Sequence, residues 1–201
     1  MAQAAKRGWH VGGIDYYQDA LNILESFLDA TGRKHGIFIN DDVFTFDWNS
    51  IRESVDLIAS FGFLEHFKNP DQILLNASLA LKPGGLVLSQ IPNLFSFNAK
   101  LFKKYDRELW DQHVPYDPEQ MDRMHTNAGL EIVEPASFRG GFDQYMLTPW
   151  EKIGERMPFI AYKGVRYFAS YLVQPVMRLM PKTGKKSYCA NFVGVYIKPT
   201  G

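Results

Sequence analysis

Two histidines, His66 and His113, are candidate general bases in this chain. An imidazole has a pKa near 6.5, so its neutral form can take a proton from a hydroxyl or an amine close to pH 7. A hydrogen-bonded structural histidine is the ordinary alternative for each. Glu65 precedes His66 directly, and neighbours on a helix point about 100° apart, so the pair is a poor two-ligand metal site. Glu65 can instead favour the positive end of the helix that follows. We therefore predict proton-transfer residues and no metal.

A second group of polar residues falls where predicted strands end. Asp15 ends a short segment near the N-terminus, Asp41 and Asp42 follow "GIFIN", and Ser60 lies at the end of "VDLIAS". The carboxyl ends of parallel strands share one edge of a sheet, and ligands bind beyond that edge in open α/β folds. The sequence thus predicts that Asp15, one of Asp41 and Asp42, and Ser60 meet at one ligand. The ordinary alternatives are a turn or cap residue for Asp15 and a solvated turn residue for one of the paired aspartates.

Strand-like and helix-like segments alternate along the chain. The helical patterns are a stripe over 17–28 that Gly32 stops, a helix that begins at Asn69-Pro70 and runs to about Leu81, and a capping box at Asp117 and Gln120. The strand-like segments end near Asp15 or contain "GIFIN", "VDLIASF", "GLVLSQI", "LEIVEPASF" and "ANFVGVYI". "LKPGG" between the second helix and the fourth strand is a helix stop and turn. This alternation predicts an α/β fold with a mostly parallel sheet and flanking helices.

The composition is that of an ordinary globular domain. Of 201 residues, 46% are apolar and 22% are charged, and 22 basic side chains balance 22 acidic ones. A balanced charge gives no long-range field that favours nucleic acid. The single Cys189 cannot form an internal disulfide, and no apolar run of 18 residues or signal peptide occurs. We expect one domain over 1–201 in the cytoplasm, with no transmembrane segment and no nucleic-acid partner.

One block, "VDLIASFGFLEHFKNPDQILLNASLALKPGGLVLSQIPN", joins a strand, a Leu-Glu-His turn, Leu-Lys-Pro-Gly-Gly and a strand that ends in Pro-Asn. In this order it resembles a class I methyltransferase that uses S-adenosylmethionine, in the broad group that acts on small molecules. Three other segments resemble further parts of that family: "AAKRGWHVGGIDYYQDAL", "INDDVF" and "HVPYDPEQMDRMHTNAGLEIVE". The resemblance covers about 1–137 and, more loosely, 188–199. It implies a Rossmann-like sheet.

The resemblance also implies which residues hold S-adenosylmethionine. They lie at three strand ends and are Asp15, Tyr16, Asp42, Val43, Ser60, Phe61 and Gly62. A carboxylate at Asp15 can accept hydrogen bonds from both ribose hydroxyls. Asp42 can accept from the adenine amino group while Val43 packs on the ring, and backbone carbonyls over 60–62 can face the cationic sulfonium.

The implied reaction is methyl transfer to oxygen, nitrogen or carbon of a small-molecule or lipid-like acceptor. Such an in-line displacement needs mainly positioning and the exclusion of water, with a base only where the acceptor must lose a proton. A different class of function, a non-catalytic interaction or scaffold protein that keeps the sheet but not the cofactor, stays open. A nicotinamide dehydrogenase ranks last because it does not explain the Leu-Glu-His and Leu-Lys-Pro-Gly-Gly pairing.

The segment 142–186 interrupts the alternation before the last strand and is dense in Tyr, Phe, Trp and Met. We predict a helical insertion with two short helices that are broken at Pro158 and Pro175. Helical stripes such as Tyr167 and Tyr171 are typical of burial, so we expect a lid or a packed extension rather than a membrane anchor. Four aromatic residues of such a lid could shape an apolar acceptor pocket: Trp150, Phe159, Tyr162 and Phe168.

The sequence departs from the family at a glycine-rich turn. Family members begin with a strand followed by acidic-x-Gly-x-Gly, where the backbone approaches the cofactor. Gly12-Gly13 lies in the segment that leads to Asp15 and is not that turn. We therefore expect a fold without its first strand, and three explanations stay open: a fragment or mis-started reading frame, one half of a pair of chains, or a descendant that has lost the cofactor.

Overall fold

The computed structural model describes residues 2–30, 32 and 36–200. The chain forms two compact units, Met1–Ser50 and Ile51–Gly201, and we describe each of them separately. The single domain expected over the whole chain stays a prediction. In the described part of the chain, no helix is both long and apolar enough to cross a bilayer.

The N-terminal unit is a small parallel β-α-β arrangement. Its elements are helix α1 (Ala2–Lys6), strand β1 (Gly13–Asp15), helix α2 (Gln18–Ala30) and strand β2 (Phe38–Asn40). Asp15 pairs with Asn40, so both strands end at the same level. Ala5, Val11 and Leu28 form the core of this unit. A Cβ on Gly12 would collide with the carbonyl oxygen of Ile37, which explains the glycine there by the close approach of two backbones.

The C-terminal unit contains a four-stranded sheet in the order β3-β4-β6-β5. The strands are β3 (Val55–Phe61), β4 (Leu81–Pro92), β5 (Glu131–Arg139) and β6 (Asn191–Ile197). β3 and β4 are parallel, whereas β6 lies between β4 and β5 and runs antiparallel to both. The six predicted strands are confirmed, and so is the α/β class. The sequence pattern did not reveal that the last strand enters the sheet in the opposite direction.

The helices before the insertion follow the local signals of the sequence. They are α3 (Asp71–Ala80), α4 (Phe97–Tyr105), α5 (Arg107–Trp110) and α6 (Pro118–Asn127). The capping box of α6 is confirmed, since Asp117 Oδ1 accepts from Gln120 N at 2.7 Å and Gln120 Oε1 accepts from Asp117 N at 2.9 Å. The α3 helix begins one residue after the predicted proline start, and Asn69 Oδ1 accepts from the Asp71 N–H. Both N-terminal signals therefore act through side-chain oxygens that take up free backbone N–H groups.

A buried polar cluster joins α6 to the sheet. The Nδ1–H of His125 donates to the Met121 carbonyl at 2.7 Å, so its Nε2 accepts from the Ser89 hydroxyl at 2.8 Å. The imidazole stacks on the ring of Tyr196 at 3.7 Å between centroids, and the Tyr196 hydroxyl donates to Asp122 Oδ1 at 2.8 Å. Burial lowers the pKa of His125 to about 4. The imidazole is thus a neutral part of the core.

The insertion contains α7 (Trp150–Gly154), α8 (Phe159–Phe168), a π-helical turn (Ala169–Val173) and α9 (Gln174–Met177). The predicted break at Pro158 is confirmed, because this residue caps the N-terminus of α8. The predicted break at Pro175 is wrong, since helical structure continues from 159 to 177. The π turn directly precedes this proline, where the missing N–H and the ring disturb α-helical hydrogen bonding.

The aromatic stripe of the insertion is not buried. Tyr167 and Tyr171, which stack on each other at 5.6 Å between centroids, have exposed fractions of 59% and 75%. No residue over 159–177 is buried. The expectation that helical spacing of these residues means burial is therefore wrong, because spacing gives the face of a helix but not what covers it.

Candidate active site

The Leu-Glu-His motif forms a tight turn directly after strand β3. Gly62 follows the strand with a φ of +61°, a conformation that favours glycine, and Leu64–His66 form one turn of 3-10 helix. A Cβ on Gly62 would lie 3.4 Å from Glu65 Oε1. The positive φ therefore explains the glycine, and the carboxylate lies close to the end of the strand.

The loop that contains His113 packs on this turn. The Val114 N–H donates to the Glu65 carbonyl at 2.7 Å, which fixes the loop beside the motif. The Nδ1–H of His113 donates to the Leu109 carbonyl at 2.7 Å, so Nε2 keeps its lone pair. The rings of His66 and His113 lie 4.6 Å apart between centroids. The two histidines, which no sequence pattern connects, belong to one cluster.

Burial determines the protonation of this cluster. The side chain of Glu65 is buried, with an exposed fraction of 1%, and desolvation raises the pKa of its carboxyl to about 7. Its Oε2 has no hydrogen-bond partner among the described residues. Partial desolvation and the charge of His113 lower the pKa of His66, although the carbonyls of Gln112 and Gly62 act in the opposite direction. His66 is therefore neutral at pH 7.5 and able to accept a proton.

Three side chains of the cluster could also hold a metal ion. One ligand atom from each of Glu65, His66 and His113 lies within 4.8 Å of the other two. The prediction of no metal rested on Glu65 and His66 alone and on an α-helical angle between them. The structure has a 3-10 turn there and supplies a third group from a distant part of the chain. The burial of Glu65 was also not predicted, since the sequence suggested a charge near a helix end. The only sequence signal for this burial was the position of Glu65 directly after Leu64.

In the N-terminal unit, the structure brings two predicted cofactor residues to one edge. Asp15 ends β1 and Asp42 lies two residues beyond the end of β2, which is parallel to β1. One oxygen of each carboxylate accepts from a nearby backbone N–H, of Tyr17 at 2.8 Å and of Phe44 at 2.9 Å respectively. The alternative that these aspartates only stabilise turns therefore accounts for one carboxylate oxygen of Asp15 and one of Asp42.

The neighbouring residues Tyr16 and Val43 have backbone roles. Asn40 Nδ2 donates to the carbonyls of Asp15 and Tyr16 at 3.0 and 2.8 Å, which ties the end of β1 to the end of β2. The Val43 carbonyl accepts from Trp48 Nε1 at 2.9 Å. These bonds hold the loops after both strands in place.

In the C-terminal unit, Ser60, Phe61 and Gly62 lie where predicted, at the carboxyl end of β3. The Ser60 hydroxyl oxygen is buried and has no hydrogen-bond partner in the part of the chain that the structure describes. Phe61 is exposed. Since Asp15 and Asp42 belong to the other unit, their convergence with Ser60 stays a prediction.

The insertion contains an open cleft of about 530 Å³. Its lining residues are Trp150, Glu151, Gly154, Met157, Phe159, Tyr162 and Arg166. Three of the four predicted lid aromatics are among them, and Phe168 is not. The guanidinium of Arg166 lies 5.9 Å from the Trp150 ring centroid and 5.8 Å from that of Tyr162. The cleft thus combines aromatic walls with one cation.

Comparison with known proteins identifies the family. Residues 1–135 match the family described as a methyltransferase domain, and the chain belongs to this family. The resemblance found in the sequence is thereby confirmed. A solved S-adenosylmethionine-dependent methyltransferase from Archaeoglobus fulgidus has the same fold, with a TM-score of 0.58 at 12% identity over 98% of this chain and 80% of that one.

Two curated relatives are named ubiquinone biosynthesis O-methyltransferase. The protein from Cupriavidus pinatubonensis is 29% identical over 141 residues, which are 65% of this chain and 55% of the relative. The protein from Hydrogenovibrio crunogenus is 30% identical over 158 residues, which are 72% of this chain and 63% of the relative. The chain therefore spans less than two thirds of the length of either relative.

Proposed function

We propose that this protein transfers a methyl group from S-adenosylmethionine to a hydroxyl oxygen of a small-molecule or lipid-like acceptor. Membership of the methyltransferase family supports the reaction, and the two relatives named O-methyltransferase support oxygen as the acceptor atom. The observation that carries the proposal is the cluster of Glu65, His66 and His113 at the end of β3, where the fold is expected to bind its ligands.

The fit of S-adenosylmethionine rests on the strand ends. The buried Ser60 hydroxyl without a partner among the described residues is suited to a polar group of a ligand. Asp15 and Asp42 would bind the ribose and the adenine through the carboxylate oxygens that their turns do not use. When bound, S-adenosylmethionine supplies an electrophilic methyl group.

The chain's own residues would position the acceptor and take its proton. The neutral imidazole of His66, or the Nε2 of His113, accepts the proton of the acceptor hydroxyl as the hydroxyl oxygen forms its bond to the methyl carbon. The Leu109 carbonyl holds His113 in the tautomer whose Nε2 can accept. The aromatic cleft around Trp150 and Tyr162 would bind the apolar part of the acceptor.

Titration calorimetry with S-adenosylmethionine tests this function. We expect micromolar binding to the wild-type chain and a loss of at least about tenfold in Asp15→Ala, because a charge-assisted hydrogen bond contributes about 1.5–3 kcal/mol. The matched control is Asp19→Ala, a solvent-exposed aspartate in the first turn of α2, which should bind like wild type. A folded wild-type chain that does not bind would contradict the proposal and favour the non-catalytic alternative.

A further inference from the structure

Glu65, His66 and His113 have the chemical composition of a transition-metal site. Two imidazoles and one carboxylate form the ligand set of many zinc and non-haem iron centres, in which further positions stay open for water or substrate. The three ligand atoms lie within 4.8 Å of one another, on two segments that the bond from Val114 N–H to the Glu65 carbonyl holds together. In a tetrahedral zinc site with bonds of about 2.0–2.1 Å, ligand atoms lie about 3.3 Å apart. To reach this spacing around one ion, the three side chains must each move by about 1 Å.

The carboxylate of Glu65 provides an independent reason to expect a cation. Its exposed fraction is 1%, and its Oε2 has no partner among the described residues. A buried carboxylate oxygen without a donor is costly, and a cation is one of the few partners that satisfy it.

His113 is already oriented as a metal ligand. Metal-binding histidines usually donate the second ring N–H to a carbonyl or a carboxylate, which fixes the tautomer and the ring. The Nδ1–H of His113 donates to the Leu109 carbonyl at 2.7 Å, and the edge of the Phe102 ring lies against the imidazole at 5.5 Å between centroids. Its Nε2 therefore keeps a lone pair that could bind a metal ion, and its ring lies 4.6 Å from that of His66 between centroids.

We propose that Glu65, His66 and His113 bind one zinc ion, with an open coordination position for the acceptor hydroxyl. The use of that position rests on the proposed function. A hydroxyl bound to the ion loses its proton to water more easily because the ion stabilises the alkoxide or phenoxide. The oxygen then forms the bond to the methyl carbon, and the electrons of the sulfur–carbon bond go to sulfur. With zinc bound, both histidines are ligands; without it, they are the bases described above.

Metal binding by the full chain tests the proposal. Titration calorimetry with Zn²⁺, and the visible absorption of Co²⁺ in its place, should show one ion per chain. We expect His113→Gln and Glu65→Gln to weaken binding by at least about tenfold, or about 1.4 kcal/mol. His10→Gln, which changes an exposed histidine outside the cluster, should bind like wild type. Zn²⁺ should also raise the Tm of wild type and not that of His113→Gln.

The outcomes separate this inference from the proposed function. Wild type that is folded by circular dichroism and shows no saturable binding up to millimolar Zn²⁺ would overturn it, as would unchanged binding in both cluster variants. S-adenosylmethionine binding is measured on the same samples. Zinc binding without cofactor binding supports the metal site and contradicts the methyltransferase proposal. Cofactor binding without zinc binding supports the methyltransferase proposal and contradicts the metal site.

Discussion

The buried imidazole of His125 makes the stability of the protein depend on pH. A pKa lowered from 6.5 to about 4 corresponds to about 3.4 kcal/mol, at 1.36 kcal/mol for each pH unit. The unfolded chain binds the proton below pH 6.5, whereas the folded chain binds it only near pH 4. The contribution of neutral His125 is therefore fully present above pH 6.5 and decreases by about 1.4 kcal/mol per pH unit as the pH falls towards 4.

The perturbation that reveals this contribution is His125→Gln, which removes the titrating group and keeps polar atoms near Ser89 and the Met121 carbonyl. Urea unfolding followed by circular dichroism gives the free energy of unfolding of both proteins at pH 7.5, 6.5 and 5. Wild type should be the more stable at pH 7.5, because the variant loses the stacking on Tyr196. That advantage should shrink by about 2 kcal/mol between pH 6.5 and 5.

Titrating groups that both proteins share, such as Glu65, cancel in the difference between the two free energies of unfolding, provided that distant sites are additive. The same measurement on Gln18→Ala, at an exposed residue without an ionisable group, should give a difference that does not change with pH. A constant difference between wild type and His125→Gln from pH 7.5 to 5 would show that the imidazole is not held neutral by burial and would refute the reasoning.

Three further changes test individual elements by urea unfolding. Gly62→Ala places a side chain at a φ of +61° and should cost about 1–2 kcal/mol; an unchanged midpoint would show that this backbone conformation is not required. Asp117→Ala removes the capping box and should lower the free energy of unfolding by about 1 kcal/mol. Glu119→Ala, at an exposed residue of the same helix, should lower it by less than about 0.5 kcal/mol, and equal effects would speak against the cap. Tyr196→Phe leaves Asp122 without the hydroxyl donor and should cost about 1–3 kcal/mol, and a neutral effect would show that this bond contributes nothing.

Local signals in the sequence predicted the elements of the fold. The capping box at Asp117 and Gln120 acts within four residues, so its geometry follows from the residue types alone. "LKPGG" ends α3 at Ala80 as predicted, since proline and glycine act on their own backbone. The predicted turn is wrong, because residues 81–85 already belong to β4. The position of Ser60 at the end of β3 followed from an apolar run of strand length.

Contacts between distant segments could not be predicted from these local signals. Glu65 is buried in a turn on which the distant loop with His113 packs, and the Val114 N–H of that loop donates to the Glu65 carbonyl. The direction of β6 depends on how the insertion returns to the sheet, and the exposure of Tyr171 depends on what covers the helix. None of these properties has a periodic pattern in the sequence.

Strand β3 lies at the edge of the four-stranded sheet. Its residues, Val-Asp-Leu-Ile-Ala-Ser-Phe, include one charge and no proline, the composition of segments that pair with strands of other chains. The charge is Asp56, which forms an ion pair with Lys82 at 2.7 Å on the exposed side. We therefore expect that replacement of Asp56 by an apolar residue makes the protein aggregate sooner at high concentration.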